Sequence, residues 1–400
     1  MPSRRASVAL TVLGAVLLAG AAVGLVSTSS SDTSPDGRPA RAGVDGPRAP
    51  RASVLEPAGA PPTATTLPHP PRTVTGDRAG FATTWTFERA RHLPESLADI
   101  DAMAATGARW IRLGARWGLI ERRPGEYDWS TLDRLVEAAV DHGMSVLGFA
   151  SGPPEWQAAP GCRTTNCAPR DLDAYARFLA TAAARYAPLG VRHWEVWNEP
   201  NLAEFWSPRP DPAAYAELQR LAYTRIAAAV PTAVVITGGL APAGDAGGDV
   251  EPLRFMEEVY RHGAQGYFDA VGVHPYAFPY RPSTAAAYNT FLKVPALHEL
   301  MAAHGDGSKL IWGTEVGAPT RGPRGVGEDG QARWLAEYYG TWNGWSFTGP
   351  LLWYEIRDAG GSGHDIDSFG LLRPDRSPKP GWRAFRSMVA SGGRLPPGAP

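Results

Sequence analysis

Two short stretches place carboxylates next to groups that could control them. "HWEVWNEPNLAEFW", His193 to Trp206, sets Glu199 between the amide of Asn198 and the ring of Pro200, among three tryptophans. "KLIWGTE" ends an apolar run on a second carboxylate, Glu315. Cleaving a glycosidic bond takes one carboxyl that is protonated, to donate to the leaving oxygen. It takes a second that is ionised, to attack the anomeric carbon or activate water. Two glutamates at one site divide these roles when their surroundings push their pKa values apart. An arginine and a tyrosine hydroxyl beside one of them, with Arg112 and Tyr276 as candidates, would hold it ionised. The other would keep its proton because its neighbour is already negative.

Such a pair needs a scaffold that brings distant segments to one mouth. Short apolar runs read as strands at 80–87, 109–115, 145–151, 193–199, 234–240, 268–276, 309–315 and 350–356. Between them lie stretches with helical spacing, at 130–143, 171–186, 211–230, 251–263, 295–305, 330–342 and 379–389. In the first of these, Leu132, Leu135, Val136 and Ala139 share a face, Ser130 or Thr131 can cap it and Gly143 can end it. Eight strands alternating with helices indicate a parallel sheet with helical crossovers. The expectation is an α/β fold, a single-domain (β/α)8 (TIM) barrel over 76–395, with an open doubly wound sheet as runner-up. The open sheet would normally carry a Gly-rich phosphate turn after an early strand, and none is present.

In such barrels the site lies at the C-terminal strand ends. Arg112 belongs to strand two, Asn198 and Glu199 to the end of strand four, His274 and Tyr276 to strand six, Glu315 to strand seven and Trp353 to strand eight. Each has a plainer reading alone: a loop-side ion pair for a glutamate, a neutralising partner for Arg112, a satisfied core group for His274. Their joint arrival at one mouth favours the chemical reading. Strict alternation sends Asn198 and Glu199 to opposite faces, so both serve one pocket only if the strand ends or bulges there, as Pro200 would allow. Glu195, deeper in the same strand, reads as a buried, paired structural group.

Composition sets the setting. With 44% hydrophobic and 20% charged residues among 400, the chain can bury a large core. Its 39 basic and 40 acidic residues nearly cancel without a basic run, which excludes a nucleic-acid footprint. Arg4 and Arg5 precede an apolar run over about residues 6–26, the pattern of a signal peptide or an N-terminal membrane anchor within 1–27. A Pro/Ala/Ser/Thr-rich stretch, 28–75, reads as a disordered linker. The protein is therefore expected outside the cell or at its surface, as a monomer. Cys162 and Cys167 are expected to form a small-loop disulfide in that oxidising setting, since two thiols alone make no zinc set. The nine histidines show no H-x-H or H-E-x-x-H pattern, and the chemistry requires neither metal nor cofactor.

"WEVWNEPN" and "IWGTEVG" resemble the retaining glycoside hydrolases that carry catalytic glutamates on strands four and seven of a (β/α)8 barrel. "WNEPN" followed by "LAEFW" resembles glycoside hydrolase family 39 most, with the cellulase-type family 5 next. The resemblance extends over about 76–392, including "FGLLRPDRSPKPGWRAF". It implies that Glu199 is the acid/base and Glu315 the nucleophile. It further implies that Asn198 binds the sugar 2-hydroxyl, that His274, Tyr276 and Arg112 line the central subsite, and that Trp353 is the floor under the ring. Past the strand ends, Trp156, Trp117, Trp206 and Tyr280 are candidate sugar platforms or loop anchors. An accessory β-sandwich like that of family 39 xylosidases is not expected, and an open groove is the expectation instead. The expected partner is a carbohydrate. Two alternatives stand beside hydrolysis: a catalytically silent glycan-binding barrel at the cell surface, and an envelope-glycan transglycosylase.

Overall fold

Apolar runs of four to seven residues, buried along almost their whole length, form eight strands: β1 (Ala79–Ala82), β2 (Trp110–Arg116), β3 (Ser145–Ser151), β4 (His193–Val196), β5 (Val234–Thr237), β6 (Ala270–Val273), β7 (Leu310–Val316) and β8 (Thr348–Tyr354). The computed structural model describes residues 78–392 except 85, 160, 161, 163, 246, 287, 288 and 362. The signal or anchor segment and the linker lie outside the described residues. Among these, no helix is long and apolar enough to cross a membrane. All strand pairs are parallel, and β1 pairs with both β2 and β8, which closes the barrel and rules out the open sheet. Every expected strand is present.

The crossovers are α1 (Leu93–Ala105), α2 (Trp117–Ile120), α3 (Ser130–Asp141), α4 (Leu172–Tyr186), α5 (Pro212–Ala229), α6 (Pro252–Arg261), α7 (Val294–Ala303) and α8 (Glu328–Gly344), followed by α9 (Pro380–Ala390). The sequence reading passed over α1, although Leu97, Ile100 and Met103 recur there at helical spacing. In α3 the four expected apolar residues are buried. Its start differs from expectation: Ser130 is already helical, and Asp128 Oδ1 accepts from the Ser130 N–H and hydroxyl. Gly143 ends the helix in a left-handed conformation, φ +71°, that suits glycine.

Inside the barrel, residues two apart on a strand share a face. Trp110, His193 and Trp312 form an aromatic floor, with Trp110 centroids 4.8 Å from His193 and 5.1 Å from Trp312. Two residues further along each strand stand Arg112, Glu195 and Thr314, a polar layer directly above that floor. Helix tyrosines secure the strand ends from outside. Tyr175 of α4 accepts from the Trp197 N–H at 2.8 Å and donates to the Ala150 carbonyl at 2.8 Å. Tyr215 of α5 accepts from the Gly238 N–H at 2.6 Å.

Candidate active site

The stretch that opens into the mouth from β4 does not continue as a strand. Trp197 has φ +76° and Glu199 φ +47°, left-handed conformations that are uncommon for residues with a Cβ. Asn198 lies between them, past the last strand residue, and the two turned residues bring Asn198 and Glu199 to the same pocket. The Tyr175 hydroxyl takes the Trp197 N–H, and the Gly239 carbonyl takes the Glu199 N–H at 3.1 Å. On β7 the same end is reached by another device. The register with β8 slips between Gly313 and Val316, and both Thr314 and Glu315 reach inward.

Arg112 organises the layer. Its Nε donates to Glu195 Oε2 at 2.5 Å, and its two terminal nitrogens donate to Glu315 Oε1 at 2.6 Å and Asn198 Oδ1 at 2.7 Å. Phe149 packs 3.9 Å from the guanidinium carbon. Because arginine only donates, the Asn198 atom facing it must be the carbonyl oxygen, which leaves the amide NH2 to donate elsewhere. Tyr276 donates to the other oxygen of Glu315, Oε2, at 3.0 Å. Glu315 thus accepts one charged and one neutral hydrogen bond.

Glu199 lies in different surroundings. Only 9% of it is exposed, and burial pushes its pKa up to about 8. Arg112 opposes that shift, while Glu195 and Asp249 add to it. The sequence reading assigned the retained proton to a negative neighbour. Desolvation is the larger cause, and the contributing negative charges are Glu195 and Asp249. His274 Nδ1 lies 2.8 Å from Glu199 Oε1 and 3.7 Å from Glu315 Oε2. Burial lowers the His274 pKa to about 4, so the ring is neutral at pH 7. Its Nε2 is buried without a partner. An unpaired acceptor is tolerated better than an unpaired N–H, which assigns the proton to Nδ1. Nδ1–H therefore donates to Glu199 Oε1 and leaves Oε2 of Glu199 to carry the acidic proton.

One donor atom each of Glu199, His274 and Glu315 lie within 4.8 Å of one another. A protonated carboxyl is a poor metal ligand, and this trio is better suited to exchanging protons than to holding a cation.

One expected platform is corrected. Trp353 is fully buried; its indole donates to the Phe369 carbonyl at 3.2 Å and its edge meets Tyr338 of α8, so it faces the helices instead of the mouth. One residue along a strand reverses the face. The β8 aromatic beside the site is Tyr354, whose buried hydroxyl feels the charges of Glu355, Glu315, Glu199 and Arg116, and a cis peptide joins it to Glu355. Trp156 packs edge-on to Trp117 and donates to the Glu121 carbonyl at 3.3 Å. It lines an outer groove of about 1210 Å³ along α4 and α5, with Tyr127, Arg177, Arg225 and Tyr267. Trp117 and Trp206 are buried loop anchors, and Tyr280 is exposed. Cys162 and Cys167 form the expected disulfide. Sequence reasoning assigned no role to Glu204, half-buried near Glu199 and Asp249, with a pKa pushed up by burial to about 7. Its only signal was its place in "LAEFW".

Comparison with known proteins agrees with this architecture. Residues 85–163 match glycoside hydrolase family 42, described as beta-galactosidase. The chain is 30% identical over 125 residues to Beta-galactosidase Bga of Halorubrum lacusprofundi, covering 25% of this chain and 18% of that protein. Among solved structures it resembles a family 39 glycoside hydrolase from Bacteroides cellulosilyticus, with TM-score 0.63, 22% identity, and coverage of 78% of this chain and 63% of that one. A monomeric beta-xylosidase from Caulobacter crescentus gives TM-score 0.60 at 21% identity, covering 80% and 69%. A GH5_18 protein from Streptomyces cattleya, in complex with GlcNAc, gives TM-score 0.62 at 19% identity, covering 80% and 82%. The chain thus spans about a fifth of the curated relative and under two thirds of the family 39 structure. In fold, it is a (β/α)8 barrel of the architecture seen in family 39 glycoside hydrolases.

Proposed function

We propose that the protein is an exported glycoside hydrolase that cleaves β-linked glycosides, of polysaccharide or glycoconjugate, by double displacement with retention. The observation that carries this reading is the Glu199 and Glu315 pair. An oxygen of each lies within 4.8 Å of the other, and their surroundings differ in the way that separates acid from nucleophile. Retaining enzymes hold their carboxyl groups about 5–5.5 Å apart, whereas inverting ones need about 6.5–9.5 Å to admit water. In the first step a Glu315 oxygen forms a bond to the anomeric carbon. The bond from that carbon to the leaving oxygen breaks, and the Glu199 proton goes to that oxygen. In the second, ionised Glu199 takes a proton from water as the water oxygen attacks the anomeric carbon and Glu315 departs. The Asn198 NH2 is available to the sugar 2-hydroxyl, where contact strengthens in the transition state.

The relatives' names, β-galactosidase and β-xylosidase, support β-linked substrates of neutral sugars. Purified residues 76–400, offered aryl β-glycosides and plant and bacterial polysaccharides with mass-spectrometric detection, are expected to release product that first appears as the β-anomer by NMR. Glu315→Ala is expected to remove this activity. An initial α-anomer would overturn retention. Absence of any product, with glycan still bound, would favour the silent binding barrel, and transfer to sugar acceptors would favour the transglycosylase.

A further inference from the structure

Glu195 is fully buried, and both of its oxygens are engaged. Oε2 accepts from Arg112 Nε, while Oε1 accepts the Gly239 N–H at 2.8 Å and the Thr314 hydroxyl at 2.8 Å. These partners carry the two glutamates of the mouth. Thr314 immediately precedes Glu315, and the Gly239 carbonyl holds the Glu199 N–H. The space around the carboxylate is closed: a Cβ at Gly272 would stand 3.3 Å from Oε1 and 2.4 Å from the Thr237 carbonyl. A buried ion pair seldom adds stability over a well-packed apolar replacement. Stability therefore gives little reason for a carboxylate at this depth, whereas the geometry of Arg112 gives one. Its guanidinium serves three acceptors in three directions, and without Glu195 a buried cation would fall to Glu315 and Asn198 alone.

We propose that Glu195 is a positioning residue for the glycosidic reaction, anchoring Arg112 through Nε so that its terminal nitrogens reach Glu315 and Asn198 together. This rests on the reading of Glu199 and Glu315 as the catalytic pair. A second effect follows from the charge of Glu195. After burial, it is one of the two carboxylates that oppose ionisation of Glu199. The groups that feel that charge are Arg112 from β2, His274 just past β6, Tyr175 from α4 and Tyr215 from α5, besides Glu199 itself. Burial keeps the histidine neutral and both tyrosines protonated, so at neutral pH Arg112 is the charged partner among them.

The test uses the full chain with Glu195→Gln and Glu195→Asp. Titration of Glu199, followed by carbon NMR of glutamate-labelled protein and assigned with Glu199→Gln, needs no substrate. Its midpoint is expected to fall by about one pH unit in Glu195→Gln and to stay near the wild-type value in Glu195→Asp. On a substrate turned over by the wild type, kcat is expected to fall about 10- to 100-fold in Glu195→Gln with KM within about twofold. Glu195→Asp should recover part of that loss. An unmoved midpoint, together with a kcat loss no larger than the loss of folded protein, would overturn the proposal. If Glu195→Gln fails to fold, Thr314→Val removes one donor to Glu195 at nearly constant shape and is expected to lower kcat about 3- to 10-fold with KM unchanged. Wild-type kcat in folded Thr314→Val and Glu195→Asp would equally overturn it. Failure of the catalytic reading looks different: no glycan is turned over by the wild type, yet the Glu199 midpoint still follows Glu195.

Discussion

His274 Nδ1 donates to Glu199 Oε1 across 2.8 Å, while the far nitrogen of the same ring has no partner. This fixes one oxygen of the buried carboxyl as acceptor and leaves the other to carry the proton. Since burial pushes the Glu199 pKa up to about 8, the acid form prevails at neutral pH.

The pH dependence of turnover follows. With a poorly activated leaving group, kcat/KM should fall as pH rises through about 8, because the proton required by the leaving oxygen is lost. Glu199→Gln should reduce this activity at least about 100-fold. It should affect the first step far less for dinitrophenyl glycosides, whose leaving group needs no proton. A basic limb that stayed flat past pH 9 would remove Glu199 from the acid role.

The same burial has a thermodynamic consequence. Glu199 has a pKa of about 8 folded and about 4.5 as an ordinary glutamate. Between these values the unfolded chain binds fewer protons than the folded one, so this residue makes stability fall as pH rises through the window. Glutamine does not titrate. Glu199→Gln should therefore match the wild type near pH 4.5 and exceed it above pH 8, by about 2 kcal/mol or more. Denaturant unfolding at pH 5 and pH 9 measures the difference, and equal gains at both would contradict the assignment.

Tyr175 holds the turn that leads to Glu199. Its hydroxyl accepts the N–H of left-handed Trp197 and donates to the Ala150 carbonyl, all in buried surroundings. Tyr175→Phe leaves both groups unpaired and should cost about 1–3 kcal/mol in unfolding free energy. It should also lower kcat more than it changes KM, because Glu199 follows Trp197 by two residues. A stability loss with unchanged kcat would show that the turn holds its shape without the hydroxyl.

Much of this could be read before any coordinates. Hydrophobic periodicity is a local property, and it suffices for eight strands, most of their crossovers and a closed barrel as first choice, although α1 was missed. Glu199, Glu315, Asn198, His274 and Tyr276 sit at or just past strand ends and Arg112 lies within β2, so they could be picked from the sequence as candidates for one mouth. Facing and electrostatics at those ends are not local. Two left-handed residues after β4 and a register slip on β7 decide which neighbours turn inward, and they depend on Tyr175, Gly239 and the β8 pairing. For the same reason the β8 aromatic at the site is Tyr354 and not Trp353, a difference of one residue and one face. The charge state of Glu199 depends on how much water the surrounding loops exclude. Glu195 reads in sequence only as a buried acid, and its bonds to Arg112, Gly239 and Thr314 join segments that come together only when the barrel closes.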